Sequence, residues 1–326
     1  MKIGVIAITQ EGKSLAQKIT ARLAGSRHLL QTRGEKVSEL LARHWHFFDG
    51  FVCIMAAGIV VRAIAPLLTD KRQDPCIVVC DQKGKHLISL LSGHLGGGNQ
   101  LAHDLADITG GQPVITTASD TLGLVALDLW AREHTLQPPP GPELTEISTK
   151  LVNRGMLKIY LDVPCTTLPR GLKQVSTPES AEIIVSHRLY DLRETAVFCP
   201  KDLVVGIGCN RGTSKQELAA ALAELFADLK INRKSIRNLA SIDKKSDEQG
   251  LLELAADNGW RIDFFDKEQI NSQKNLEISF VALKAVGAIG VAEPTALLSA
   301  GSAILISRKR KWKNVTMAVA QVPFTL

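Results

Sequence analysis

Three short segments hold most of the residues that could do chemistry. The first is Ser92-Gly93-His94-Leu95-Gly96-Gly97-Gly98-Asn99, which sets one histidine among four glycines between a strand-like apolar run and a helix-like stretch. Glycines there let backbone N–H groups turn toward an anion, and the N-terminus of the following helix adds partial positive charge. His94 is the one side chain of this loop able to exchange protons near neutral pH. The bland alternative is a turn that merely needs positive φ, but such turns rarely need so many glycines. The second segment is Gly206-Ile207-Gly208-Cys209-Asn210-Arg211-Gly212-Thr213, again a strand leading through glycines to a helix, with a capping box at Ser214 and Glu217. Arg211 could hold a carboxylate. The spacing is not GxGxxG, so a dinucleotide site has little support. The third segment, Gly287 to Ala296, places Glu293 where a helix would begin at Pro294. A carboxylate there either interacts with the helix dipole or moves protons.

Other features carry weaker signals. Arg62 is a lone charge in the apolar stretch Gly58 to Pro66 and requires a partner, internal or on a ligand. Ala7-Ile8-Thr9-Gln10-Glu11-Gly12-Lys13-Ser14 resembles a phosphate-binding loop, but Ala7 stands where glycine is needed and Glu11 would sit beside the phosphates. Arg308 to Lys313 reads as a solvated hairpin between two strands. The six cysteines include no CxxC pair, which argues against zinc and against a disulfide framework, so no metal site is expected and a reducing cytoplasm is the natural setting.

The elements that must position these residues follow from apolar runs. Lys2–Ile8, Phe51–Met55, Ile77–Cys80, His86–Leu91 and Val114–Thr116 read as strands, and Gln100–Ile108 and Leu122–Arg132 as helices. This alternation implies a mostly parallel sheet covered by helices. Length suggests two or three domains for 326 residues. Pro138-Pro139-Pro140-Gly141-Pro142 supplies a break. The expectation is an α/β protein: an N-terminal mostly parallel sheet with flanking helices over 1–137, a small α+β middle unit over 138–200, and a three-layer α/β/α domain over 201–326. No run approaches the ~20 apolar residues of a membrane span. Lys and Arg exceed Asp and Glu by 39 to 33, whereas aromatic residues are only 5%. A small polyanionic ligand therefore fits better than nucleic acid, which prefers stacking platforms.

Together the segments Ala56–Pro66, Asp74-Pro75 with Val78–Asp81, Leu90–Asn99 and Pro113–Asp120 resemble the CbiG family, the cobalt-precorrin-5A hydrolases of anaerobic cobalamin biosynthesis. Residues 206–213 and 290–294 are similar to the C-terminal domain shared with CobE proteins. The resemblance implies a ring-contracted cobalt tetrapyrrole substrate bearing many carboxylates and a δ-lactone. Water opens the lactone and a two-carbon fragment leaves as acetaldehyde. Cobalt comes with the substrate, so no cofactor is implied. His94 and Glu293 are the expected proton-transfer residues. Arg62, Ser92, Gly93, Gly96, Gly97, Asn99, Thr116, Thr117, Asp120, Asn210, Arg211, Gly212 and Thr213 are expected to bind substrate, with N–H groups from Gly96 to Asn99 holding an oxyanion. Other cobalamin-pathway enzymes are conceivable partners, a homodimer is compatible with the reading, and neither nucleic acid nor membrane is expected. Two alternatives stay open: a non-catalytic carrier of corrinoid intermediates, and a P-loop nucleotidase using Lys13.

Overall fold

The computed structural model describes residues 1–326 except 32–33, 71–72, 193 and 274–275. The chain divides into two compact units, Met1–Leu129 and Trp130–Leu326.

In the first unit the order is β1 (Ile3–Ala7), α1 (Gln10–Thr20), β2 (Ser26–Leu29), α2 (Val37–His44), β3 (Gly50–Ile54), α3 (Ala57–Ile64), β4 (Cys76–Cys80), β5 (His86–Leu91), α4 (Gly98–Thr109), β6 (Gln112–Val114), α5 (Ala118–Leu122) and α6 (Leu127–Glu133), which runs across the division. One six-stranded sheet has the order β2-β1-β3-β4-β5-β6. The central strands are buried end to end because both faces are covered. Side chains still alternate. Val5, Val52 and Val78 pack under α1 and α4 with Ile19, Leu101 and Leu105. Ile6, Phe51, Cys53 and Ile77 pack under α2 and α3 with Leu40, Leu41 and Val60.

Most pairings are parallel, but β5 runs antiparallel to β4 and parallel to β6. The carboxyl ends of β5 and β6 therefore lie at the edge where β1, β3 and β4 begin. That reversal decides where the first unit can assemble a site.

The phosphate-loop alternative loses its loop. Only Ile8 and Thr9 separate β1 from α1, with Thr9 as N-cap, and Gly12 lies inside the helix. A Cβ on Gly12 would meet Ile54 Cγ2 at 3.2 Å, so this glycine serves helix-on-sheet packing. The helix expected over Leu122–Arg132 is broken by Gly123 at φ 64°, which ends α5 before α6 begins.

The second unit opens with β7 (Leu136–Gln137), α7 (Gly141–Arg154), β8 (Leu157–Leu161), β9 (Leu172–Gln174), β10 (Ile183–Val185) and β11 (Ala196–Pro200). These strands form a sheet ordered β7-β11-β10-β8-β9. Then come β12 (Leu203–Cys209), α8 (Lys215–Asp228), β13 (Ile236–Ile242), α9 (Gln249–Asn258), β14 (Ile262–Phe265), α10 (Lys267–Asn271), α11 (Phe280–Val286), α12 (Ala292–Ala300), β15 (Leu305–Lys311) and β16 (Val315–Gln321). The third sheet is ordered β14-β13-β12-β16-β15. It is the middle layer of an α/β/α sandwich: Leu203, Val205 and Ile207 face α8 and α9, while Val204 faces α12. The basic run expected to be a hairpin loop is mostly strand, because β15 continues through Lys311. Its exposed charges protect the sheet's edge from pairing with another chain. Among the described residues no helix is long and apolar enough to cross a membrane.

All six cysteines are free. Burial pushes the thiols of Cys53, Cys76 and Cys80 up to about 12 and that of Cys199 up to about 11. Reaction with a thiol reagent requires thiolate and access. At pH 8 the native protein should modify only half-buried Cys165 and Cys209 quickly. A thiol titration that releases the other four before unfolding would contradict the buried-core placement.

Candidate active site

Local geometry builds the first site around His94. β5 ends at Leu91, and Ser92 turns the chain with φ 52°, a left-handed conformation uncommon for a residue with a Cβ. The Ser92 hydroxyl donates to the Asp74 carbonyl at 3.1 Å and helps hold that turn. A Cβ on Gly96 would lie 2.5 Å from Ser92 Cβ and 2.6 Å from the Ser92 carbonyl oxygen, so close approach requires glycine there; one on Gly93 would lie 2.5 Å from Asn99 Oδ1 and would displace that side chain. Gly97, at φ 82°, caps α4. This loop sits beside Asp74 and Cys76, at the edge where β4 starts.

His94 Nε2 lies 2.9 Å from Asp120 Oδ2, and Nδ1 lies 3.7 Å from Asp128 Oδ1. Asp120 is within hydrogen-bond distance of Nε2, whereas Asp128 is near Nδ1 but beyond that distance, its Oδ1 accepting from the Leu129 N–H at 2.9 Å. The imidazole is 19% exposed, Asp120 39% and Asp128 27%. Asn99 Nδ2 donates to the same Asp120 oxygen at 2.9 Å and reaches Thr117 Oγ1 at 3.5 Å. Ser119 Oγ is 3.4 Å from His94 Nε2. Two buried acceptors in this neighbourhood, Asn99 Oδ1 and Ser89 Oγ, have no hydrogen-bond partner among the described residues. Buried polar groups are rarely left unpaired unless water or a ligand completes them.

Of the expected residues, the structure brings together Ser92, Gly93, His94, Gly96, Gly97, Asn99, Thr117 and Asp120. Thr116 is exposed just before Thr117, with no side-chain hydrogen bond among the described residues. The oxyanion reading needs revision. Gly97, Gly98 and Asn99 N–H donate to the carbonyls of His94, Ser92 and Gly93, so three of the four expected donors are already used. Arg62 is not part of this constellation. The apolar stretch around it is the amphipathic helix α3, where Arg62 faces solvent and donates to the Gly58 carbonyl at 3.0 Å. Gly58 follows the carboxyl end of β3, the edge opposite the His94 loop, about 16 Å away by the length of a five-residue strand.

The remaining expected residues belong to the second unit. Gly206 exists because α12 presses on β12: a Cβ there would lie 1.9 Å from the Ala292 carbonyl oxygen. Arg211 pairs with Asp247 at 2.5 Å and donates to the Lys244 carbonyl. That pairing raises the guanidinium's pKa and lowers that of Asp247. The Gly212 N–H donates to buried Glu248 at 2.6 Å, and Glu248 also pairs with buried Lys245. The anion position read from the sequence is therefore filled by the chain's own Glu248. Asn210 bonds Asn314, and Thr213 returns to the Asn210 carbonyl. Glu293 is buried in the first turn of α12, which starts at Ala292 rather than Pro294. Its Oε1 accepts from Lys309 N–H at 2.7 Å, at an irregularity in the β15–β16 pairing that leaves this donor without a strand partner.

Two members of the His94 constellation escaped sequence reasoning. Ser119 adjoins Asp120, and Asp128 was hidden inside a supposedly continuous helix. Gly123 was the available signal, since a C-capping glycine there splits the helix and turns Asp128 toward the histidine.

The first unit is an α/β sheet carrying a histidine beside two carboxylates, and comparison with known proteins gives the family. Residues 39–120 match the family model described as cobalamin synthesis G N-terminal, and residues 203–320 match cobalamin synthesis G C-terminus. A cobalt-precorrin-5A hydrolase from Priestia megaterium is 32% identical over 98% of this chain and 95% of its own. A protein of the same name from Salmonella typhimurium is 32% identical over 84% of this chain and 82% of its own. Protein CobE from a Sinorhizobium species is 31% identical over 36% of this chain and 79% of its own. The chain belongs to the CbiG family.

Proposed function

We propose that this chain acts as a cobalt-precorrin-5A hydrolase, the activity for which the Priestia and Salmonella relatives are named. The observation that carries this reading is the His94 constellation: one imidazole with Asp120 at Nε2 and Asp128 near Nδ1, set in a glycine loop beside orphaned polar acceptors. Lactone opening needs a group that accepts a proton from water and returns one to the departing oxygen. Asp120 is the more exposed of the two carboxylates, so it is the one that gives way when substrate reaches Nε2, while Asp128 remains beside Nδ1.

Water then attacks the acyl carbon of the lactone and its proton passes to His94. The acyl–oxygen bond breaks, and the departing oxygen takes a proton to become a hydroxyl. Removal of that hydroxyl proton in a second step drives carbon–carbon cleavage. Acetaldehyde leaves, and the macrocycle receives the electron pair. Cobalt enters as part of the substrate.

Incubation with the lactone substrate, with acetaldehyde captured by alcohol dehydrogenase and NADH, tests the reading. Stoichiometric NADH loss is expected. Saturable binding of the corrinoid with no acetaldehyde would instead make the chain a carrier.

A further inference from the structure

The second unit contains a cleft of about 760 Å³ lined by residues of α12, the start of β15, Gln273 and Leu276. Leu276, Leu297, Leu298 and Leu305 supply the apolar part of its wall, and Gln273 and Ser302 belong to the polar part. Two charged groups stand in it: the carboxylate of Glu293, fixed by the Lys309 N–H, and Arg308. Arg308 is exposed, and its guanidinium makes no hydrogen bond or ion pair among the described residues; its carbonyl accepts from the Ser307 hydroxyl. The same edge strand continues with the ammonium groups of Lys309 and Lys311, also without carboxylate partners among the described residues, whereas Arg310 is neutralised by Asp228.

Four leucines beside the unpaired Arg308 guanidinium, with Lys309 and Lys311 further along the same edge strand, are complementary to a molecule with an apolar face and a carboxylate-bearing rim. A volume in this range is typical of small-molecule sites, and an open cleft suits a flat ligand. We propose that this cleft is a binding site for the rim of a polycarboxylate tetrapyrrole, with Arg308 pairing a side-chain carboxylate and the leucines covering part of the ring. Glu293 then lies against bound substrate, which gives the buried acid a place in ligand binding besides its bond to the strand. The inference rests on the corrinoid reading of the function and adds where part of that ligand is held.

The test uses the full chain and two stable cobalt corrins followed by their visible absorption. Cobyrinic acid carries free acetate and propionate groups, and cobinamide carries the same ring with those groups amidated. Cobyrinic acid should bind saturably, and cobinamide at least 10-fold more weakly. Arg308→Ala should raise the Kd for cobyrinic acid roughly 10- to 100-fold, the range for losing one charge-assisted contact. Ala303→Trp, which fills the cleft from an exposed position, should abolish binding. Wild-type Kd in both variants would overturn the proposal. So would displacement of cobyrinic acid by single-stranded DNA of matched charge that is itself weakened by Arg308→Ala, since that would make the edge a nucleic-acid surface. Acetaldehyde release is read separately. Variants that bind and turn over normally refute the cleft and leave the hydrolase reading standing, while corrin binding that needs Arg308 in a protein releasing no acetaldehyde does the reverse.

Discussion

Replacing His94 with alanine should lower kcat by at least ~10²-fold with little change in KM, because general acid–base groups contribute ~10²–10⁴-fold. The geometry makes this the largest catalytic effect expected in the chain. No other described side chain in the glycine loop can carry a proton, and Nε2 is already held by the Asp120 carboxylate at 2.9 Å with Asp128 3.7 Å from Nδ1. Steady-state acetaldehyde release measures it. Wild-type kcat in the variant would remove His94 as the proton carrier and leave Glu293 as the leading candidate. Glu293→Gln then separates that residue's two roles, since the amide oxygen can still accept from Lys309 N–H while proton transfer is lost. A raised KM at unchanged kcat for His94→Ala would instead make the imidazole a substrate ligand.

The largest stability effect is expected at Asp202. Its carboxylate is fully buried, with Oδ2 3.0 Å from His187 Nδ1 and 2.9 Å from Gln321 Nε2. His187 follows β10 and Gln321 ends β16, so the pair ties the two sheets of the second unit together. Removing the carboxylate leaves His187 and Gln321 without their partner, and each buried polar group left unpaired costs about 1–3 kcal/mol. Asp202→Ala should accordingly lower Tm by roughly 10 °C. Asp247→Ala, which deletes an ion pair open to solvent, should leave Tm unchanged, as exposed pairs usually contribute little. Equal Tm values for the two variants by calorimetry would contradict the assignment of Asp202 as an internal tie.

How much of this was legible in the sequence depends on which physical quantity each residue reports. Continuous apolar runs identified β3 and β4, because strands covered on both faces must be apolar at every position. The glycine-histidine segment marked a tight turn, because close approach of the Ser92 backbone excludes a side chain at Gly96. Strand direction was not legible. Nothing in His86–Leu91 says that it runs antiparallel to its neighbour, yet that reversal places His94 and Arg62 at opposite sheet edges. The exposure of Arg62 was not read, because its apolar stretch was taken without the helical period that turns the guanidinium to solvent. Arg211 and Gly212 have the right chemistry for an anion, but their partners Asp247 and Glu248 are 36 residues away from them in the chain, beyond any local pattern. Glycines 206 and 212 likewise look alike in sequence. One answers to the backbone of α12 and the other to a left-handed turn at φ 75°.

Hydrolysis in ¹⁸O-water tests the central claim most directly, because it reports which bond water breaks as well as whether the two-carbon unit leaves. In a single turnover the corrinoid product should lose the two-carbon fragment and gain one heavy oxygen, located in the carboxylate freed from the lactone, and His94→Ala should slow both changes together. A product that keeps the fragment, or that loses it without heavy oxygen in that carboxylate, would contradict water attack at the acyl carbon and with it the role given to the His94 constellation.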